Sequence, residues 1–207
     1  MSDPSPNNQP SQLYDPVEDY LTRLERTVNR LSREDIWAVV QVMYRAWQAG
    51  KQIFLIGNGG SAATASHMAN DLNKLTIVEG MPRMKAIALT DNVPLMTAWS
   101  NDTSYENAFS EQMRNFIQTG DIVVCISTSG NSPSILRAVE VARQYEATVI
   151  GLTGEPGGML RKTSDYCIAV PDDHIGRQED GHMILDHVIA NTLRDLIYTA
   201  KHTGGLP

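Results

Sequence analysis

What most restricts the fold of this chain is an alternation that begins near residue 50. Short, largely apolar runs at 52–56, 84–89, 122–126, 148–152 and 166–170 are each followed by a longer stretch with other chemistry. None of these runs alternates strictly between apolar and polar residues, so each reads as a strand buried on both faces. The intervening stretches 62–74, 105–116 and 134–145 have helical spacing, a short helix is expected near Met159, and a long one from about Gln178 to Ala200. Strand and helix in alternation build an α/β fold, here a five-stranded parallel sheet with helices on both faces.

Two amphipathic helices precede the first strand. Val17, Leu21, Leu24, Val28 and Leu31 repeat at helical spacing in the first, and Ile36, Val40, Met43 and Trp47 in the second. Ser32 and Asp35 form a capping box before the second helix, and Gly50 closes it. Their apolar stripes suit a sheet face or another subunit. Residues 1–14, rich in Ser, Pro, Asn and Gln, read as a flexible tail, 15–202 as one domain, and 203–207 as a frayed end.

Composition narrows the function. A chain of 207 residues can enclose one sizeable core. The net charge of −7 argues against nucleic acid as the main partner. Cys125 and Cys167 both fall in expected strands and read as core residues of a reducing compartment, not as a disulfide or a metal motif. No apolar run has the length of a membrane helix and no signal-peptide pattern opens the chain, so a cytoplasmic location without a membrane partner is expected.

In open parallel sheets, ligands bind beyond the carboxyl ends of the strands. Three segments would meet there: 57–61, 90–102 and 127–132. The third carries four hydroxyl residues, Ser127, Thr128, Ser129 and Ser132, before Pro133 starts a helix. Free N–H groups, the positive end of the helix dipole and neutral hydroxyls together can cradle a phosphate monoester. The first, Gly57-Asn58-Gly59-Gly60-Ser61-Ala62, fits the dinucleotide pattern G-x-G-x-x-A, but the acidic residue expected about 20 positions on is missing and Asp91 lies too far along. The glycines therefore read as a close approach to a sugar phosphate, with Ser61 as N-cap and phosphate donor. Asn101-Asp102 reads as a turn or cap in a loop.

The histidines form a third set. His67 and Asp71 stand one helical turn apart, as do His182 and Asp186, while Glu179, Met183 and His187 step along one side of the last helix. Such a group could hold Zn²⁺ or a similar ion. From spacing alone, a metal cluster and a set of semi-buried helix residues are equal readings.

The pairing of Gly57-Asn58-Gly59-Gly60-Ser61 with Ser127-Thr128-Ser129-Gly130-Asn131-Ser132, in this order and on these elements, resembles the sugar-isomerase (SIS) domain family. From about residue 16 to 198 the chain is similar to the bacterial phosphoheptose isomerases. The resemblance implies a three-layer sandwich and the conversion of sedoheptulose 7-phosphate to D-glycero-D-manno-heptose 7-phosphate. It implies sugar contacts at Asn58, Gly59 and Gly60, a substrate pair at Asn101 and Asp102, and phosphate binding at Ser127, Thr128, Ser129 and Ser132. Its metal-binding histidines fall on His67 and His187, with one zinc or similar divalent ion per subunit. Two positions depart from the family pattern. The carboxylate ligand and base, usually Glu, is Asp71. The Gln of an Arg-x-Gln-Glu-x-His stretch is Glu179, within Arg177-Gln178-Glu179-Asp180-Gly181-His182. The expected metal set is thus His67, Asp71, Glu179 and His187, with Asp71, Glu179 and His187 as catalytic candidates and both carboxylates also as substrate contacts. An Arg that the family places after the first helix of the sheet has no clear equivalent, Lys74 being the nearest cation. The resemblance also implies a homotetramer with sites at subunit interfaces. SIS domains serve too as phosphosugar sensors and scaffolds, such as the replication-initiator-associating proteins, so a non-catalytic module is the alternative.

Overall fold

Five parallel strands, β1 (Gln52–Gly57), β2 (Lys85–Ala88), β3 (Ile122–Ser127), β4 (Thr148–Gly154) and β5 (Tyr166–Val170), form one sheet in the order β2-β1-β3-β4-β5. The computed structural model describes residues 15–204, so the expected tail at 1–14 and residues 205–207 lie outside it. The chain leaves β1 toward one edge of the sheet and returns to build β3 on the other side. This is a topological switch point, where a crevice opens beyond the strand ends. The register places Gly57 beside Ile126 and Ser127 beside Thr153, so the loops that follow β1, β3 and β4 are neighbours.

The strands are apolar throughout because helices cover both faces. Ile122, Val124 and Ile126 of β3 point into one core, Val123 and Cys125 into the other. The first core is closed by α2 (Arg33–Gln48), α3 (Gly60–Lys74) and α8 (Ile175–Thr203), through Val40, Met43, Met68, Leu72, Leu185 and Ile189. The second is closed by α5 (Ser110–Arg114), α6 (Pro133–Gln144) and α7 (Gly158–Thr163), through Met113, Ile135, Val139 and Leu160. Each such fully buried side chain contributes about 1.5–3 kcal/mol of transfer free energy. Helix α1 (Pro16–Asn29) is capped by Asp15, whose carboxylate accepts from Val17 N and Glu18 N. Ser32 caps α2 by accepting from Asp35 N at 3.2 Å, as its sequence suggested.

Three local expectations differ. The segment 90–102 is not a loop: α4 (Val93–Asp102) occupies most of it, opened by the Asn92 side chain accepting from Leu95 N, with Pro94 in the first turn. Asn101 and Asp102 therefore end a helix. The expected helix 105–116 is broken into a 3-10 turn, Tyr105–Asn107, and the five-residue α5. The bend lets Phe109 and Met113 reach the core while Tyr105 stays outside. Finally, α3 starts before Ser61. Its N-cap is Gly59, at φ +55°, a conformation that few residues other than glycine tolerate, and Ser61 is buried inside the first turn.

Candidate active site

The first wall of the crevice is the β1–α3 loop. Asn58 bridges two neighbours: its Nδ2 donates to Ser134 Oγ at 3.0 Å, and its Oδ1 accepts from the Tyr105 hydroxyl at 2.6 Å. The amide is thereby oriented from both ends. Glu179 reaches over from α8 to Gly60, where its carboxylate occupies the space a Cβ would take.

The second wall is the β3–α6 loop, shaped largely by its own backbone. Ser127 Oγ accepts from Gly130 N at 3.2 Å, and Ser129 Oγ accepts from Asn131 N at 3.2 Å. The loop is pinned from outside as well: Gly154 N donates to Thr128 O, Leu160 N to Gly130 O, and Met159 N to Asn131 Oδ1. Ser132 is the N-cap of α6, yet its hydroxyl makes no capping bond and stands 3.5 Å from that of Ser127. A helix N-terminus with a hydroxyl not used for capping, next to a second hydroxyl, is suited to an anion.

The third component lies where α3 and α8 pack side by side. His67 and Asp71 project from α3, Asp186 and His187 from α8, and the four offer ligand atoms all within 4.8 Å of one another. His67 Nδ1 lies 2.9 Å from Asp186 Oδ2. Asp71 Oδ2 stands 3.9 Å from both His67 Nδ1 and His187 Nε2, and the two imidazole rings meet edge to face at 5.2 Å. The imidazoles are half exposed, Asp71 is nearly buried, and Asp186 is fully buried. Burial pushes the Asp186 carboxyl above its ordinary value; its bond to His67 opposes this, while nearby Asp71 adds to it.

The residues expected to share a metal are thus only partly brought together. His67, Asp71 and His187 converge. Glu179 stays at the N-terminal end of α3 beside Gly60, which precedes His67 by seven residues, or roughly 10 Å of helix. Asp186 joins the group instead. Asn101 and Asp102 are exposed at the end of α4, with Asn101 Nδ2 donating to Asp102 Oδ1 at 3.0 Å. His182 is fully buried, and burial pushes its imidazole down to about 4, the Thr153 backbone acting in the opposite sense. Burial likewise pushes the Cys125 thiol up, in keeping with a core role. Tyr105 escaped the sequence reading and gave no signal there. Asp186 stood in the sequence as one of a helical pair with His182, its part in the group left open.

The chain's relatives fit this geometry. Residues 17–154 match the SIS domain. The chain is 37% identical over 155 residues to the phosphoheptose isomerase of Aneurinibacillus thermoaerophilus, covering 75% of this chain and 78% of that one. With the phosphoheptose isomerase of Mycobacterium tuberculosis it shares 35% identity over 185 residues, 89% of this chain and 94% of the other. The solved structure of phosphoheptose isomerase GmhA from Neisseria gonorrhoeae superposes with a TM-score of 0.80 at 29% identity, covering 86% of this chain and 97% of that chain. A switch point in the sheet, a hydroxyl-rich loop at a helix N-terminus and an imidazole–carboxylate group on helices packed against the same sheet suit an aldose–ketose isomerase. The chain therefore belongs to the SIS domain family, alongside the phosphoheptose isomerases, and is a sugar-phosphate isomerase.

Proposed function

We propose that the chain converts sedoheptulose 7-phosphate to D-glycero-D-manno-heptose 7-phosphate through an enediolate. The observation that carries this reading is the hydroxyl loop at the switch point with a His–Asp group on the adjoining helices. The choice of a heptose follows from the names of the relatives.

The phosphate is held by the hydroxyls of Ser127, Thr128, Ser129 and Ser132 and by the N-terminus of α6, with Ser61 at the start of α3 supporting the opposite side. Asn58, Gly59 and Gly60 line the sugar, and Asn101 and Asp102 take its hydroxyls. A carboxylate removes the proton from C1 of the ketose and returns it to C2. Glu179 is favoured for this, because its carboxylate stands against Gly60, on the wall the sugar would follow. Asp71, between two imidazoles, is the other candidate. His187 moves the second proton from the C1 hydroxyl to the C2 oxygen, so the net change is one C–H and one O–H relocated.

The donor set fits a divalent ion: imidazole nitrogens and carboxylate oxygens at this spacing are what Zn²⁺ accepts. His67, Asp71 and His187 would hold it. Such an ion would supply electrostatic stabilisation of the oxyanion that develops on the sugar.

A homotetramer with sites completed at subunit interfaces is part of the proposal. The half-exposed imidazoles support it, and so do exposed apolar side chains on the N-terminal helices: Val17 is 66%, Leu21 55% and Trp37 48% exposed. Among the described residues, no helix is long and apolar enough to cross a membrane. A cytoplasmic site of action is proposed on the same grounds as in the sequence reading. The test is incubation with sedoheptulose 7-phosphate with and without zinc. Turnover is expected; none in either condition, with turnover of other ketose phosphates, would remove the substrate assignment.

A further inference from the structure

Three buried aspartates can be set side by side. Asp121 uses both oxygens on the backbone, accepting from Gln52 N at 2.9 Å and from Gln118 N at 2.8 Å. Asp172 accepts from Arg177, from the Thr27 hydroxyl and from His174 N. Both tie separate stretches of chain together, and that role accounts for them. Asp186 does not behave this way. It is 0% exposed, Oδ2 meets only His67 Nδ1 among the described residues, and Oδ1 is buried without any hydrogen-bond partner there. A half-satisfied buried carboxylate is costly. On a helix face shared with Leu185 and Ile189, an apolar side chain would serve stability better.

The surroundings sharpen the problem. Asp71 brings a second carboxylate to the same spot, and the positive partners at hand are two imidazoles, His67 and His187. Two carboxylates sharing one site repel one another. A divalent cation removes that repulsion and gives the unpartnered carboxylate a partner. With two imidazoles and two carboxylates around it, a doubly charged ion is neutralised.

We infer that Asp186 is the fourth protein donor of the metal group, in the place that similarity to the family would give to Glu179. The donors are then one pair one turn apart on α3, His67 and Asp71, and one adjacent pair on α8, Asp186 and His187. His67 Nδ1 and Asp186 Oδ2, 2.9 Å apart, would both be donors to such an ion in exchange for their mutual hydrogen bond. Glu179, about two turns away along α3, is left free to face the sugar. This inference rests on the metal reading above for the presence of an ion, and adds which residues hold it.

The test uses the full-length protein, stripped with chelator, and titrated with zinc against a competing chelator and with cobalt for its absorption spectrum. Asp186→Asn keeps the shape, and Asp186→Leu guards against the amide oxygen standing in as a weak donor. Thermal unfolding without metal shows whether each variant still folds. Zinc affinity should fall by at least ~100-fold in Asp186→Asn, with a changed cobalt spectrum, since removing even a supporting partner of a ligand costs about 10–100-fold. Glu179→Gln should leave both unaltered. Equal zinc affinity and an unaltered cobalt spectrum in wild type, Asp186→Asn and Asp186→Leu would overturn the assignment while leaving the metal reading intact. So would a loss confined to Glu179→Gln. Absence of zinc and cobalt binding by the wild-type protein would remove the metal reading itself and this assignment with it.

Discussion

The loop at Ser127–Ser132 and the group where α3 meets α8 are built in opposite ways. The loop is local. The Ser127 and Ser129 hydroxyls accept from backbone N–H groups two or three positions away, and Gly130 supplies the turn. The α3–α8 group is assembled from residues 119 positions apart, and its geometry depends on how two helices pack on the sheet. The loop offers neutral donors and no ionisable side chain, so it can hold an anion but cannot move a proton. The group offers imidazoles and carboxylates, which can do chemistry but give a phosphate little to grip. One region should therefore govern binding and the other the rate.

The strongest way to break that division is His187→Ala. Its imidazole is half exposed, so the fold should survive. Loss of an acid–base group of this kind costs about 10²–10⁴-fold. The expected result is a fall in kcat of roughly 10³-fold, with the binding of inorganic phosphate, read as competitive inhibition or by calorimetry, unchanged. A fall in phosphate affinity of similar size would show that the two regions are not separable; an unchanged kcat would reject His187 as the proton carrier.

Acid should distinguish the regions next. His182 sits on the inward side of α8, buried, with its value lowered to about 4 by desolvation. In the unfolded chain it takes up a proton near 6.5; in the folded chain it resists until about 4. Between those values the unfolded state binds more protons, so stability falls as the pH is lowered through this window and is fully present above it. The shift corresponds to about 3 kcal/mol of stability lost between pH 7 and pH 4. Urea unfolding of wild type and His182→Leu over this range isolates the effect from that of the carboxylates. The variant should lose correspondingly less stability, and parallel curves would show that His182 is not held neutral by its burial.

These two regions also differ in how far they could be read in advance. Apolar runs without alternation announced a doubly covered parallel sheet, and the fifth strand ends where its composition changes, at Val170. The hydroxyl loop was legible because its chemistry and its turn lie in one short stretch. The α3–α8 group was legible only in kind. Helical spacing can show that residues share a side, but not which side faces inward. His182 and Asp186 lie on the stripe that continues through Ile189 and Leu193 into the core. That stripe turns Asp186 toward α3, while Glu179 comes to rest against Gly60. The helix at 93–102 was lost to a different cause: Asn92 and Pro94 are cap and first-turn signals, but the apolar residues after them are not buried, so no clear periodicity followed.

Gly130→Ala probes the loop's side of the comparison. Gly130 sits at φ +62°, and a Cβ there would run into the Gly157 carbonyl. The conformation alone costs an L-residue about 1–2 kcal/mol. KM should rise by roughly 10-fold while kcat changes little, the reverse of the pattern for His187→Ala. A loss in kcat at unchanged KM would mean that the loop positions the reacting carbons as well as the phosphate.

The smallest effect is expected where the two walls are joined. Asn58 belongs to the β1–α3 loop but donates to Ser134 on α6, and its carbonyl is held by the Tyr105 hydroxyl at 2.6 Å. That bond fixes which way the amide faces, and so which of its atoms a sugar hydroxyl would meet. Tyr105→Phe removes one hydrogen bond from a residue that is 48% exposed, where water can replace the lost donor. A net contribution of about 0.5–1.5 kcal/mol follows, or roughly 2–10-fold in kcat/KM. Because the proposed function sets Asn58 against the sugar and not the phosphate, inorganic phosphate should bind the variant as it binds the wild type. If phosphate binding weakened in step with kcat/KM, the bond would instead be holding the hydroxyl loop in place through Ser134. The two walls would then be one coupled unit, and the separation of grip from chemistry would hold only for the α3–α8 group.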